Sequence, residues 1–289
     1  MNLLVRINLA LAAAFSLSGF AVGAACYSML QENAKREAVR EAGLLMESAL
    51  AMRAYTSAEI VPLLGEEMKS QFLPQSVPSY AATQNFLRLR EHHPEYAYRE
   101  ATLNPTNLRD RAVDWESDLV EQFRNDARST ELVGERDTPM GRSLYLARPI
   151  HAEPQCLVCH STPAAAPATL IARYGSNNGF GWQPHEVIGA QIVSVPLASA
   201  SANAERVFRG VMAAIAAILA VALLIVNCVL YYAVVRPVRR MAHIAEEVSL
   251  GNTAAGDFPA RGSTELVNLA RAFNRLRTSV SKALQMLEG

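Results

Sequence analysis

Two stretches of this chain carry no charged residue. Ile7 to Leu30 is one, with Arg6 just before it, and Gly210 to Val235 is the other, framed by Arg209 and Arg236. Each exceeds the roughly 20 residues a helix needs to cross a bilayer. Leu219, Val221, Leu223, Leu224, Ile225 and Val226 make the second the more apolar. Arg6 stands before the first run, and Arg236, Arg239 and Arg240 stand after the second. Basic residues stay on the cytoplasmic side, so both ends are expected in the cytoplasm and residues 31 to 209 outside it. The first run also has the build of a cleavable signal, and Gly23-Ala24-Ala25-Cys26 resembles a lipoprotein box in which Cys26 would be acylated. An uncleaved anchor is the expectation, because a charged helical pattern continues from the end of the run without a break.

In the outer segment the apolar positions change period several times. From Gln31 a long helix is predicted, with Ala38, Ala42, Leu45, Ala49 and Met52 at 4-3-4-3 spacing. Such a seam serves either a stalk paired with a second copy or a helix laid on its own domain, and the sequence leaves both open. The region from Thr56 to Pro62 is where that helix is expected to begin ending. A second helical stretch at Asn85 to Arg90 stops at Glu91-His92-His93-Pro94. Tyr98 to Leu103 alternates as a strand, Asn104-Pro105-Thr106-Asn107 reads as a turn, and Ala112 to Arg128 has helical spacing with Trp115, Leu119 and Phe123 on one face. Strands are predicted at Arg142 to Ile150 and at Val187 to Pro196, the latter with Ile188, Ala190, Ile192 and Ser194 on one face. Pro163 to Tyr174 reads as loop and short helix, and Gly175 to Gly179 as a turn. Helices and strands in this order make an α+β domain with a central antiparallel sheet and a ligand on one face.

Beyond the second run, Met241, Ile244 and Val248 fall at heptad spacing. A connector follows from Gly251 to Gly262, and then Leu266, Leu269, Phe273, Leu276, Val280, Ala283 and Leu287 form a second seam. Helices this short bury such seams only by pairing, so a parallel four-helix bundle in a homodimer is expected. Composition changes this picture little. Lys and Arg number 27 and Asp and Glu 27, which leaves no electrostatic case for nucleic acid.

The chemistry is concentrated in Cys156-Leu157-Val158-Cys159-His160. Two cysteines three positions apart with histidine next are the attachment pattern for a c-type haem. Each sulfur takes one vinyl group, and His160 then serves as the axial metal ligand. A zinc knuckle needs a second ligand pair, which Cys26 and Cys228 in apolar runs do not supply. A redox dithiol would not need His160. Attachment takes place outside the cytoplasm, where the basic residues also put this segment. For the sixth position of the iron, Met52 on the long helix and His93 on the surface turn are the candidates. No nucleophile with its base, phosphate-binding loop or second metal cluster is visible, so no enzyme is expected.

The order of blocks in the outer segment resembles a family of periplasmic, PAS-like sensor domains that bind one c-type haem. The blocks are Ala51-Met52-Arg53-Ala54-Tyr55-Thr56, Ala101 to Asn107, Trp115-Glu116, Arg148-Pro149-Ile150 leading into the cysteine motif, Gly179-Phe180-Gly181-Trp182, and Gly189 to Pro196. Ser161 stands where many members have Gly. The resemblance implies one covalent haem c per chain, held through Cys156 and Cys159 with His160 on the iron, against a PAS-like sheet. The end of the chain resembles the HAMP linker through Pro237, Gly262 to Leu266 and Ala272 to Leu276, with Ser263-Thr264 in place of the usual acidic pair.

The expected organisation is therefore a first span at 7–30, a periplasmic haem-c sensor domain at 31–209, a second span at 210–235 and a HAMP domain at 236–289. This describes a multi-pass protein of a bacterial inner membrane, in contact with lipid. It would relay a redox or gas signal to a separate cytoplasmic output protein such as a histidine kinase, a cyclase or a chemotaxis-type transducer. The alternative is a membrane-anchored monohaem cytochrome for electron transfer.

Overall fold

The structure, a computed structural model, describes residues 3–250, 256–258 and 263–288. It divides into two compact units, one of residues 26–208 and one of residues 1–25 with 209–289. In chain order the elements are α1 (Leu3–Tyr55), α2 (Val61–Leu64), α3 (Pro78–His92), β1 (Ala97–Thr102), α4 (Asp114–Asn125), β2 (Leu132–Thr138) and β3 (Gly141–His151). They continue with α5 (Leu157–His160), α6 (Ala168–Tyr174), β4 (Val187–Pro196), α7 (Leu197–Leu230), α8 (Arg236–Ser249) and α9 (Thr264–Glu288). Two helical stretches, Leu4–Leu64 and Ala202–Ser249, are long and apolar enough to cross a membrane.

Prolines punctuate the long helices. A π turn at Thr56–Ile60 separates α1 from α2, and another at Tyr231–Val235 separates α7 from α8. Each ends two residues before a proline, Pro62 or Pro237. A proline ring crowds the carbonyl one turn back and offers no N–H to it, and a wider turn relieves both. Proline also frames α3. Pro78 opens it at a position where no N–H is needed. It ends at His92, because a residue preceding Pro94 is driven out of the helical region.

The sheet is antiparallel throughout, in the order β1-β4-β3-β2. Its two faces carry separate cores. On one face Tyr98, Leu144, Leu146, Val193 and Val195 meet Ala38, Ala42, Met46 and Ala49 of α1 and Phe86 of α3. On the other, Ala101, Ala147, Ala190 and Ile192 meet Leu119, Val120 and Phe123 of α4. The small side chains of α1 let its backbone lie close to the sheet. The seam is thus consumed inside its own domain, with Met46 in the buried stripe and Leu45 and Met52 at its margin.

Several sequence expectations need correction. The strand expected with one buried face, β4, is buried on both, since helices cover each side of the sheet. β2 was not foreseen. It is an edge strand rich in charge, stabilised by pairing to β3 and by Glu135, which accepts from Lys35 and Arg142. The cysteine motif lies on helical turns, Pro154–Cys156 in a 3-10 turn followed by α5.

In the other unit, Met241, Phe258 and Ala270 form a small core with Ile244, Ala245 and Phe273 around it. Asn274 donates to and accepts from the backbone of Phe258, and Arg277 pairs with Asp257. Leu269, Leu276 and Val280 remain exposed on the single chain. Most of the expected connector, and the side chains of Ala283 and Leu287, lie outside what is described.

Candidate functional site

Strand β3 delivers the cysteine motif. Its register with β4 shifts between Ile150 and His151, and the backbone N–H of Ala152 then donates to Glu186. Pro154 starts the 3-10 turn at once, and the cysteines follow at Cys156 and Cys159. Three positions apart on helical turns, they share one face. Both are free, part-buried thiols. Burial, and then the neighbouring Cys156, push the Cys159 thiol above its ordinary value.

His160 is fixed from three sides. Its Nδ1 lies 2.7 Å from the Gly179 carbonyl oxygen, to which it donates. Its ring stacks on Trp182, with centroids 4.0 Å apart and planes 17° from parallel. Thr106 Oγ1 stands 3.4 Å from the same Nδ1. A proton held at Nδ1 leaves the Nε2 lone pair for a metal, which is how outer partners orient a ligating imidazole. Burial holds the His160 pKa below its usual value, against a smaller opposing effect of the Gly179 bond.

The Gly179 carbonyl is itself placed by tertiary contacts. Gly179 has φ of +83°, and a Cβ there would lie 2.8 Å from the Thr106 Cα, so only glycine fits. Asn104 Oδ1 accepts from the Gly179 N–H, and Asn104 Nδ2 donates to the Phe180 carbonyl. The N–H groups of Gly181 and Trp182 donate to the carbonyls of Ser161 and His160. Two segments that the sequence offered as a turn and a resemblance block are thus the clamp on His160. Asn104, Thr106, Gly179 and Trp182 are positioning residues whose role was not legible from local pattern.

His160 and Trp182 line a cleft of about 140 Å³. Its apolar wall includes Phe72, Val77, Leu170 and Tyr174, with Phe72 edge-on to Tyr174. Glu100, Thr102, Arg109 and Asp110 supply its polar side. Burial raises the Asp110 carboxyl above its ordinary range, against the pull of Arg109.

Behind Glu100 lies a buried network. Arg53 donates to Glu100 at 2.5 Å, Tyr98 donates to its other oxygen at 2.6 Å, and Gln191 donates to the Tyr98 hydroxyl at 3.2 Å. Burial, reinforced by Glu100, drives the Tyr98 pKa upward, so this phenol stays protonated.

The sequence candidates for a second ligand are not brought to this cleft. Met52 packs at the edge of the α1 core, and His93 stands largely exposed just past α3, 3.6 Å from Glu95. Neither lines the cleft around His160. The donor set that is present fits a haem. It comprises two thiols on one face, an imidazole whose proton is held at Nδ1, and a partly apolar cleft lined by that imidazole.

In chain order the mixed helix-and-sheet domain lies between two helices long and apolar enough to cross a membrane, which is consistent with a membrane-anchored protein. Residues 31–196 match the Tll0287-like family, more than half of the chain, and the chain belongs to that family. Residues 229–282 match the HAMP domain. A solved structure described as the cyanobacterial heme-protein Tll0287 shares 16% identity with this chain. That similarity covers 55% of this chain and 95% of that one, with a TM-score of 0.43. No curated protein matches the chain. A Tll0287-like domain joined to a signal-relay domain indicates a haem-based sensor, a signalling rather than a catalytic protein.

Proposed function

We propose that this protein is a transmembrane sensor built on one covalent haem c. Cys156 and Cys159 would hold the porphyrin through thioether bonds, and His160 Nε2 would ligate the iron. The observation that carries this is the 2.7 Å bond from His160 Nδ1 to the Gly179 carbonyl, beside two thiols one turn apart. When bound, haem supplies an iron that changes oxidation state or takes up a diatomic gas. Among the described lining residues, His160 is the one imidazole, and methionine and cysteine are absent.

In this reading residues 7–30 and 210–235 cross a bacterial inner membrane, residues 31–209 form a PAS-like periplasmic domain, and both ends are cytoplasmic. Residues 236–289 form a HAMP bundle with a second copy. The exposed Leu269, Leu276 and Val280 supply the seam that this pairing would cover. A change at the iron biases two packings of that bundle, and an output protein such as a kinase, cyclase or chemotaxis-type transducer reads them.

The test is to produce the chain in cells that mature c-type cytochromes and record its intact mass and its reduced-minus-oxidised spectrum, with and without nitric oxide. The expected result is one haem per chain, lost in the C156A/C159A variant, and a spectrum that shifts with the gas. A bare polypeptide mass overturns the reading. Fast electron exchange with a soluble cytochrome, without response to the gas, replaces the sensor by an electron carrier.

A further inference from the structure

The first and second apolar helices meet through a closed pair of amides. Asn8 Nδ2 donates to Asn227 Oδ1 at 2.8 Å, and Asn227 Nδ2 donates to Asn8 Oδ1 at 2.8 Å. Each amide also donates to the carbonyl one turn back in its own helix, Leu4 for Asn8 and Leu223 for Asn227, both at 2.9 Å. Both amide groups therefore have all their N–H donors used and both their oxygens bonded. An asparagine in hydrocarbon is costly unless satisfied, and this arrangement satisfies two without water.

The pair lies within the apolar part of the second helix. Asn227 precedes Arg236 by nine residues, which at the helical rise places it roughly 13 Å from that charge. A second contact fixes the same alignment. Gly23 is fifteen residues after Asn8, Met212 is fifteen before Asn227, and the Met212 Cε packs closely on Gly23, 3.3 Å from where a Cβ would stand. Between these two points Leu11, Phe15 and Gly19 on α1, and Ile215, Leu219, Ala222, Leu223 and Val226 on α7, are the less exposed positions. Two antiparallel helices thus share one axial register, pinned at both ends.

We propose that the Asn8–Asn227 pair is a register latch between the two spans. It makes axial sliding of α7 against α1 a two-state event. In the aligned state both amides are paired. A shift of one residue, about 1.5 Å, already separates oxygen from nitrogen and leaves Asn227 facing hydrocarbon, while Asn8, two residues after Arg6, stands at the end of its apolar run. A signal that moves α7 must break the latch, and small fluctuations of the outer domain leave it closed. The inference rests on the reading of both helices as spans and is independent of the haem.

The test uses the full chain in membranes, with Cys26 and Cys228 replaced by alanine. Gly19→Cys is combined either with Ile215→Cys, the inward-facing position within one residue of its level in the aligned register, or with Leu219→Cys, three residues from that level on the other side. Gly19 suits this because a side chain there meets nothing within 4 Å. Oxidative crosslinking is scored by whether the two halves stay joined after proteolysis in the outer segment. The aligned pair is expected to crosslink preferentially. N8L or N227L should lower the aligned-to-displaced ratio about 3- to 30-fold, the range that interhelical hydrogen bonds carry in bilayers. Where a single variant fails to insert, N8L/N227L decides, since it leaves no orphaned amide and still removes the latch. An unchanged ratio in the inserted double variant overturns the proposal. Haem content of the same membranes is read separately, so loss of haem bears on the sensor reading and leaves the latch intact.

Discussion

Replacing Gly179 by alanine isolates the clamp on His160. Gly175, Gly179 and Gly181 share nearly the same positive φ, of +82°, +83° and +84°, a range that residues with a Cβ rarely adopt. An alanine at any of them bears the strain of a positive φ, about 1–3 kcal/mol. At Gly175 and Gly181 an added Cβ meets nothing within 4 Å, so the cost stops there. At Gly179 it would also lie 2.8 Å from both the Cα and the N of Thr106, backbone atoms that cannot rotate away. Overpacking of this kind adds about 1–3 kcal/mol. G179A is therefore expected to cost about 2–6 kcal/mol and G175A about 1–3 kcal/mol, with G179A the costlier by the overpacking. At about 2–4 °C per kcal/mol for a domain of this size, the melting temperature separates the two. T106A should not restore G179A, because the contact with the Thr106 backbone remains. Displacing the Gly179 carbonyl also releases His160 Nδ1, so the haem spectrum should change in G179A and not in G175A. Equal destabilisation by the two substitutions, with identical spectra, would refute the clamp.

Three further outcomes are expected. E100A leaves Arg53 charged and largely buried with its carboxylate partner gone, which should cost about 3–5 kcal/mol. The double variant R53M/E100A should recover much of this, as judged by denaturant midpoints. In the haem-free C156A/C159A protein, His160 has a lowered folded-state pKa, so the unfolded chain binds a proton first as pH falls. Its contribution to stability is present above the unfolded value of about 6.5 and lost below it, and the difference between this protein and its H160N derivative should track that loss in melts from pH 8 to 5. M52L and H93N should leave the haem spectrum of the full chain unaltered, since neither side chain lines the cleft. A shift in either would reinstate that residue as the second ligand.

The sequence alone determined the elements whose signal is local. The bounds of β4 follow from an apolar run between turn residues, the end of α3 from Pro94, and the two apolar helices from the absence of charge over their length. Family membership was legible too, because it rests on the order of short blocks. What the tertiary structure decided is which surface meets which. The alanine-rich seam of α1 would look the same against a second helix or a sheet, since period reports a buried face and not its partner. β2 is held by backbone pairing and by Glu135 bridging Lys35 and Arg142, none of which leaves an apolar pattern. The spacing of Cys156, Cys159 and His160 is written in five consecutive residues. The tautomer of His160 is set by a carbonyl nineteen residues further on, held by a turn more than fifty residues earlier. Residue order fixes what a side chain can do, whereas its hydrogen-bond partner is supplied only when distant segments close on one another.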